Sequence, residues 1–265
     1  MSFSIKGKTA IVTGAANGIG LAISRHFVEQ GANVMMADRE EEYLKKEMMA
    51  LSTDDGNAEC FTCDLREKLS HTNLLSTTID LFNKVDILVN ASRQVTAMDP
   101  IDYNDDNVIT MLDQNLMSSL RLTQLISTRM IKQTKETGIS GSILNLSSIA
   151  SLRTRPGLMG YSISSAALDQ MTRTMAVALA PYNIRVNAIS FGSVMSESLK
   201  NSLKEDINLR DEIVKNTPLG RIAPATEIAQ AAQFLCSEAS NFITGEIMTI
   251  DGGRSLLDPV KIGAH

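Results

Sequence analysis

Three glycines and one aspartate carry the first chemical signal in this chain. The segment Thr13-Gly14-Ala15-Ala16-Asn17-Gly18-Ile19-Gly20 follows a short apolar run at 9–13, and Asp38 closes the next apolar run, Val34 to Ala37. A side chain at 14, 18 or 20 would keep the backbone from approaching a diphosphate, or the following helix from packing on the strand. Ile19, Ala22, Ile23 and Phe27 recur at helical spacing, so a helix starting near Gly18 aims its free N–H groups and positive dipole end at the phosphates. Asn17, Ile19 and Gly20 complete that cradle. A carboxylate at Asp38 accepts hydrogen bonds from ribose hydroxyls and repels a 2′-phosphate. The N-terminal half therefore reads as a dinucleotide site that prefers NAD to NADP, with Arg39 beside Asp38 as the one feature favouring the phosphorylated cofactor.

The rest of the chain must hold that turn in place. Strand-like runs at 9–13, 33–37, 58–62, 85–90, 142–147, 184–190 and 246–250 alternate with helical patterns near 18–30, 40–51, 66–83, 105–136, 161–181 and 225–237. The alternation predicts a Rossmann-type α/β fold, a doubly wound parallel sheet of about seven strands with helices on both faces. No linker or repeat divides residues 1–265, which read as one domain. The charged segment 192–217 follows a strand end, where ligands bind in such sheets, and is a candidate substrate lid.

Bulk properties narrow the class. Hydrophobic content of 43% and charged content of 21% suit a globular protein. A net charge of −5 argues against nucleic acid as a partner. No apolar stretch suits a membrane span and none near Met1 suits a signal peptide, so the expected location is cytoplasmic. Three cysteines make no disulfide framework, and Cys60 and Cys63 read as structural filling. His26, His71 and His265 lack partners at ligand spacing, so no metal is expected. Most methionines fall on apolar positions and read as core, and the acidic run Asp102 to Asp106 reads as a solvated helix start.

Further along, the run 142–147 ends at Ser147-Ser148, and Tyr161 follows Ser148 by thirteen residues. With Asn115, Asp64-Leu65, Asn90-Ala91, Val186-Asn187-Ala188-Ile189 and Asp251-Gly252-Gly253 in this order, the chain resembles the single-domain short-chain dehydrogenase/reductases over almost its whole length. The resemblance implies hydride transfer between a nicotinamide and a small-molecule alcohol or carbonyl. It implies Tyr161 as proton donor or acceptor, Ser148 as partner of the developing oxyanion, and Asn115 as holder of a water in a proton path. Asp64 and Leu65 would lie near the adenine, and Asn90, Ala91 and Ser92 near the nucleotide ribose. Gly192 and Val194 would line the nicotinamide end, with Ser196 in place of a threonine that contacts the amide. A homotetramer or homodimer is the implied assembly.

One departure bears on the chemistry. The family pattern Tyr-x-x-x-Lys reads Tyr161-Ser162-Ile163-Ser164-Ser165 here. Positions i and i+4 share a helix face, so the lysine would stand beside the tyrosine and lend it charge. Serine is short and neutral. A phenol without such help is only about one part in a thousand ionised at neutral pH, and loss of the assistance corresponds to on the order of 10²–10³ in rate. No lysine lies between Lys135 and Lys200. Position 168, where enoyl reductases of the wider superfamily carry theirs, is Leu168. Arg153 and Arg155, in the loop between Ser148 and Tyr161, read first as solvated loop charges and second as substitutes that swing toward the cofactor or bind an anionic substrate, and Arg173 lies two helical turns beyond Ser165. The family's Asn-Ala-Gly and Pro-Gly read Asn90-Ala91-Ser92 and Phe191-Gly192. These changes raise an alternative, a cofactor-binding protein that has lost its chemistry and acts as a sensor or subunit partner. Arg93, Gln94, Val95, Arg153, Leu158, Phe191 and Val194 are the expected substrate lining, and their mixed character leaves the substrate open.

Overall fold

The computed structural model describes residues 2–51 and 56–258; His265 lies outside them. Seven strands form one parallel sheet: β1 (Thr9–Thr13), β2 (Asn33–Asp38), β3 (Ala58–Thr62), β4 (Ile87–Asn90), β5 (Ser142–Ser148), β6 (Arg185–Phe191) and, last in the chain, β9 (Ile247–Ile250). Their order across the sheet is β3-β2-β1-β4-β5-β6-β9. The order reverses between β1 and β4, where a ligand crevice opens above the carboxyl ends of the strands. A two-stranded parallel ribbon, β7 (Val194–Met195) with β8 (Ala223–Pro224), stands apart from the sheet.

Strand β1 shows why the sheet is covered twice. Ala10 and Val12 point into one core and Ile11 into the other, and all three are fully buried. The first core receives Ile19, Ile23 and Phe27 of α1 (Gly18–Glu29), Leu44 of α2 (Glu41–Met49), and Ile228, Ala232 and Leu235 of α9 (Ala225–Cys236). The second receives Leu74 of α3 (Lys68–Phe82), Leu122 and Ile126 of α5 (Ser118–Thr137), and Leu179 of α6 (Met159–Leu179). Met35 and Met36 on β2 fill one core each, while Met49 at the end of α2 is exposed. Cys63 is buried in the second core, and Cys60 packs against the first.

The long helical segment expected at 105–136 is interrupted. It consists of α4 (Asn107–Met111), a π-helical turn at Leu112–Met117, and α5. A π turn shifts the helix face by part of a residue and is frequent at functional sites. The segment expected as a lid, 192–217, carries β7 and two short helices, α7 (Glu197–Glu205) and α8 (Leu209–Lys215). No helix among the described residues is long and apolar enough to cross a membrane.

Buried polar side chains tie the sheet together beneath the crevice. Asn90 on β4 donates to Asn145 Oδ1 on β5 at 2.8 Å and to Thr123 Oγ1 on α5 at 3.0 Å. Asn145 in turn donates to Thr172 Oγ1 on α6 at 2.8 Å. In Val186-Asn187-Ala188-Ile189, Asn187 donates to Ile243 O at 2.9 Å and accepts from Glu246 N at 3.0 Å, which docks the entry to β9.

Candidate active site

The glycine turn joins β1 to α1 at the carboxyl edge of the sheet. Gly14 has φ +64°, and a Cβ on it would fall 2.8 Å from the Ser92 backbone. A Cβ on Gly20 would fall 2.2 Å from Gly14 O. These two positions are closed by backbone. Gly18, at φ +57°, is different: a Cβ there meets only Ser196 Cβ, at 3.7 Å. Asn17 at the N-cap is extended and makes no side-chain cap to the first turn of α1. Uncapped N–H groups beside an open glycine suit a phosphate anion, so the turn fits a dinucleotide.

The surrounding residues are arranged around that cradle. Asp38 ends β2, and its Oδ2 accepts from Ala16 N at 3.0 Å while Oδ1 accepts from Glu40 N at 3.1 Å. Arg39 is turned to Glu40, 3.4 Å away. Arg66 hydrogen-bonds Asp64 and holds its carboxyl down at about 2. Leu65 is buried, and its carbonyl oxygen accepts from the His71 ring at 2.7 Å. Thr13 Oγ1 accepts from the amides of both Ala91, at 3.0 Å, and Ser92, at 3.1 Å. Gly192 passes Asp251 so closely that a Cβ on it would lie 2.8 Å from the Asp251 Cβ. Val194 is buried, and Ser196 caps α7 by accepting from Leu199 N at 3.2 Å.

The second half of the crevice lies above β4, β5 and β6. Ser148 is the last residue of β5 and stands opposite Phe191 of β6 in the register. Its Oγ accepts from Ala150 N at 3.2 Å. Tyr161 lies in the first turn of α6 and is 5% exposed. A cleft brings it together with Asn90, Ser92, Asn115 and Ser165. Asn115, within the π turn, accepts from Gln94 N at 2.8 Å and donates to Gln94 O at 2.9 Å and Ser164 Oγ at 3.2 Å. Its carboxamide thus holds the loop that leaves β4. The Ser165 hydroxyl donates to the Tyr161 main-chain oxygen at 2.8 Å, as Ser164 does at 3.0 Å. It is engaged by its own helix and supplies no charge.

The arginines divide between the surface and the cleft. Arg153 and Arg155 are both exposed, and Arg153 reaches Leu257 O at 3.4 Å. Arg93, expected as substrate lining, does line the cleft, and it donates an N–H to the Tyr161 hydroxyl. Its guanidinium lies 4.0 Å from the centre of the Phe191 ring. Helix-face spacing could not reveal this contact, because Arg93 and Tyr161 lie 68 positions apart. The strand order was the usable signal, since it seats the loop after β4 beside the end of β5.

Comparison with known proteins agrees with this architecture. A family model described as enoyl-(acyl carrier protein) reductase matches residues 14–255. A 3-oxoacyl-[acyl-carrier-protein] reductase, FabG, of Chlamydia trachomatis is 33% identical over 259 residues, covering 96% of this chain and 100% of that protein. The 7alpha-hydroxysteroid dehydrogenase of Escherichia coli K12 is 31% identical over 249 residues, 94% of each chain. A solved 7alpha-hydroxysteroid dehydrogenase, in complex with NADH and 7-oxo glycochenodeoxycholic acid, superposes with a TM-score of 0.88 at 31% identity over 95% of both chains. The fold and crevice define a nicotinamide-dependent oxidoreductase, and the chain belongs to the short-chain dehydrogenase/reductase family. It is an NAD(P)-dependent enzyme, and the comparisons do not favour a binding protein without chemistry.

Proposed function

We propose that the enzyme interconverts a secondary alcohol and a carbonyl with NAD(H) in preference to NADP(H). The nicotinamide, when bound, supplies or accepts the hydride. In reduction, Tyr161 gives its phenolic proton to the carbonyl oxygen, and Ser148 donates a hydrogen bond to that oxygen as charge develops on it. Asn115 sets the shape of the cleft through Gln94. Ser165 leaves the lysine position beside Tyr161 without a cation. Gly14, Gly18, Gly20 and the first turn of α1 receive the diphosphate, and Asp38 receives the adenosine ribose. Its carboxylate beside the turn supports NAD over NADP, because a 2′-phosphate there meets a fixed negative charge.

The observation that carries the reading is the shared edge. The open Gly18 turn and the Tyr161 hydroxyl both lie above the carboxyl ends of the central strands, one on each side of the β1–β4 reversal. A homotetramer or homodimer formed through α5 and α6 is the proposed assembly. Val177 on α6 is 77% exposed and suits such a contact, which light scattering checks.

The substrate class is tested with a carbonyl panel: an acetoacetyl thioester and a 7-oxo bile acid, drawn from the relatives, and dihydroxyacetone as a small polyol ketone. NADH should bind more tightly than NADPH in a fluorescence titration. At least one panel member should be reduced, and Tyr161→Phe should abolish its reduction. Undiminished turnover in Tyr161→Phe, or preference for NADPH, overturns the reading.

A further inference from the structure

We infer that Arg93 is a catalytic residue, the cation that faces the Tyr161 oxygen during proton transfer. The inference rests on the reading of Tyr161 as the proton carrier and adds the charge that the reading lacks. When the phenol proton passes to a substrate carbonyl, the phenolate left behind carries a full negative charge in a mostly buried position. The Arg93 N–H already donates to that oxygen. It keeps its own proton and offsets the charge, as a charge-assisted hydrogen bond does.

Three features show that the arginine is held there rather than passing through. The first is the loop. Ala91 and Ser92 are fixed by the Thr13 hydroxyl, and Gln94 is fixed by Asn115 on both its amide and its carbonyl. The backbone is therefore pinned on either side of Arg93. The second is the platform. Phe191 is 3% exposed, and its ring lies under the guanidinium at 4.0 Å. A planar, delocalised cation gains from an aromatic face in a way that an ammonium on a flexible stem does not. The third is the space beneath. The cleft beyond Ser165 is lined by Asn90, Ser92, Asn115, Ser119 and Leu168, all neutral, so Arg93 and Tyr161 are its only charged or titratable lining residues among those described.

These features join departures that look unrelated in the sequence. Ser165 removes a cation from one wall, Arg93 brings one from the opposite wall, and Phe191 gives that cation a surface to rest on. The charge needed at the phenol oxygen is moved from helix α6 to the loop after β4.

The test compares wild type with Tyr161→Phe, Arg93→Ala, Arg93→Gln and the double variant Arg93→Ala/Ser165→Lys. NADH affinity, kcat, KM and the pH profile of alcohol oxidation are measured with the panel member that the wild type turns over. Arg93→Ala and Arg93→Gln should each lose on the order of 10²-fold in kcat with NADH affinity within about threefold of wild type. The pH profile of oxidation should differ from that of wild type, and Ser165→Lys in the Arg93→Ala background should reverse much of both changes. Wild-type kcat and an unmoved profile in both single variants overturn the assignment, while loss of activity in Tyr161→Phe leaves the Tyr161 reading standing. Retained activity in Tyr161→Phe, or no turnover of any panel member by the wild type, removes both.

Discussion

Asn115 grips Gln94 at both ends of one residue, accepting from its amide at 2.8 Å and donating to its carbonyl at 2.9 Å. The pair links the π turn to the loop that leaves β4. Asn115→Ala leaves a partly buried amide and carbonyl without their side-chain partner, and each such hydrogen bond is worth about 0.5–1.5 kcal/mol. The variant should unfold at lower urea concentration and lose on the order of tenfold in kcat. Asn115→Asp keeps the acceptor for Gln94 N and loses the donor, so it should fall between the two in both assays.

The three turn glycines should separate by what surrounds them. Gly20→Ala drives a methyl into Gly14 O, and overpacking against rigid backbone costs about 1–3 kcal/mol or more. Gly14→Ala should behave similarly, since Ser92 and Ala91 backbone atoms close on it. Gly18→Ala has room and bears only the left-handed backbone cost, about 1–2 kcal/mol. Thermal melts should rank Gly18→Ala above the other two, while NADH titration should show Gly18→Ala weakened because its methyl faces the open side of the turn.

Cofactor choice can be separated from turn geometry at Asp38. The Ala16 amide donates to its carboxylate, so Asp38→Ala removes both a charge and an anchor. Asp38→Asn retains an oxygen for Ala16 and removes only the charge. The ratio of NADPH to NADH affinity should rise by about tenfold in Asp38→Asn, a change of about 1.4 kcal/mol. An unchanged ratio in paired fluorescence titrations would show that the carboxylate does not discriminate.

Acid should weaken the fold through His71. Burial lowers its pKa below 6.5, and its Nε2 sits 2.7 Å from Leu65 O, so the neutral ring is the folded form. The unfolded chain binds this proton more readily than the folded one. The contribution is therefore fully present above the ordinary histidine value and is lost as pH falls below it toward the lowered folded value. Urea denaturation across that range should show stability falling with acidification, and His71→Gln should flatten this part of the curve.

The thiols should be quiet in the native protein. Burial pushes Cys63 and Cys236 up to about 12 and raises Cys60 as well, and the thiolate is the reactive form. A chromogenic disulfide reagent at neutral pH should label Cys63 and Cys236 slowly or not at all until denaturant is added. Rapid labelling of Cys236 without denaturant would show that the α9 end opens readily.

The parts of this site that follow from local chain chemistry were legible before any coordinates. The turn is legible because close backbone approach at Gly14 and Gly20 leaves no room for a side chain, and Asp38 because it closes an apolar run that forms β2. The strands are legible because burial on both faces makes the central ones apolar runs, and all seven predicted bounds lie within about two residues of the observed ones. The π turn is not, since Leu112–Met117 has an ordinary helical composition, and its Asn115 is engaged by Gln94 and Ser164, residues distant in the chain. The contact of Arg93 with Tyr161 was missed for a related reason. It joins two elements 68 positions apart through the sheet order, whereas the arginines near Ser165 in sequence are Arg153, Arg155 and Arg173. The segment 192–217 reads as a candidate lid from its charge and its place after a strand end, and its helices α7 and α8 are not legible in that charge pattern.

The hydroxyl of Thr13 belongs to the first strand, yet it fastens the peptide that leaves the fourth. The glycine turn at the nucleotide end of the crevice is thereby tied to the residue directly before the phenol's partner, through one methyl-bearing rivet. Valine at position 13 keeps the shape and discards the rivet, so occupancy at one end and readiness at the other should become independent events.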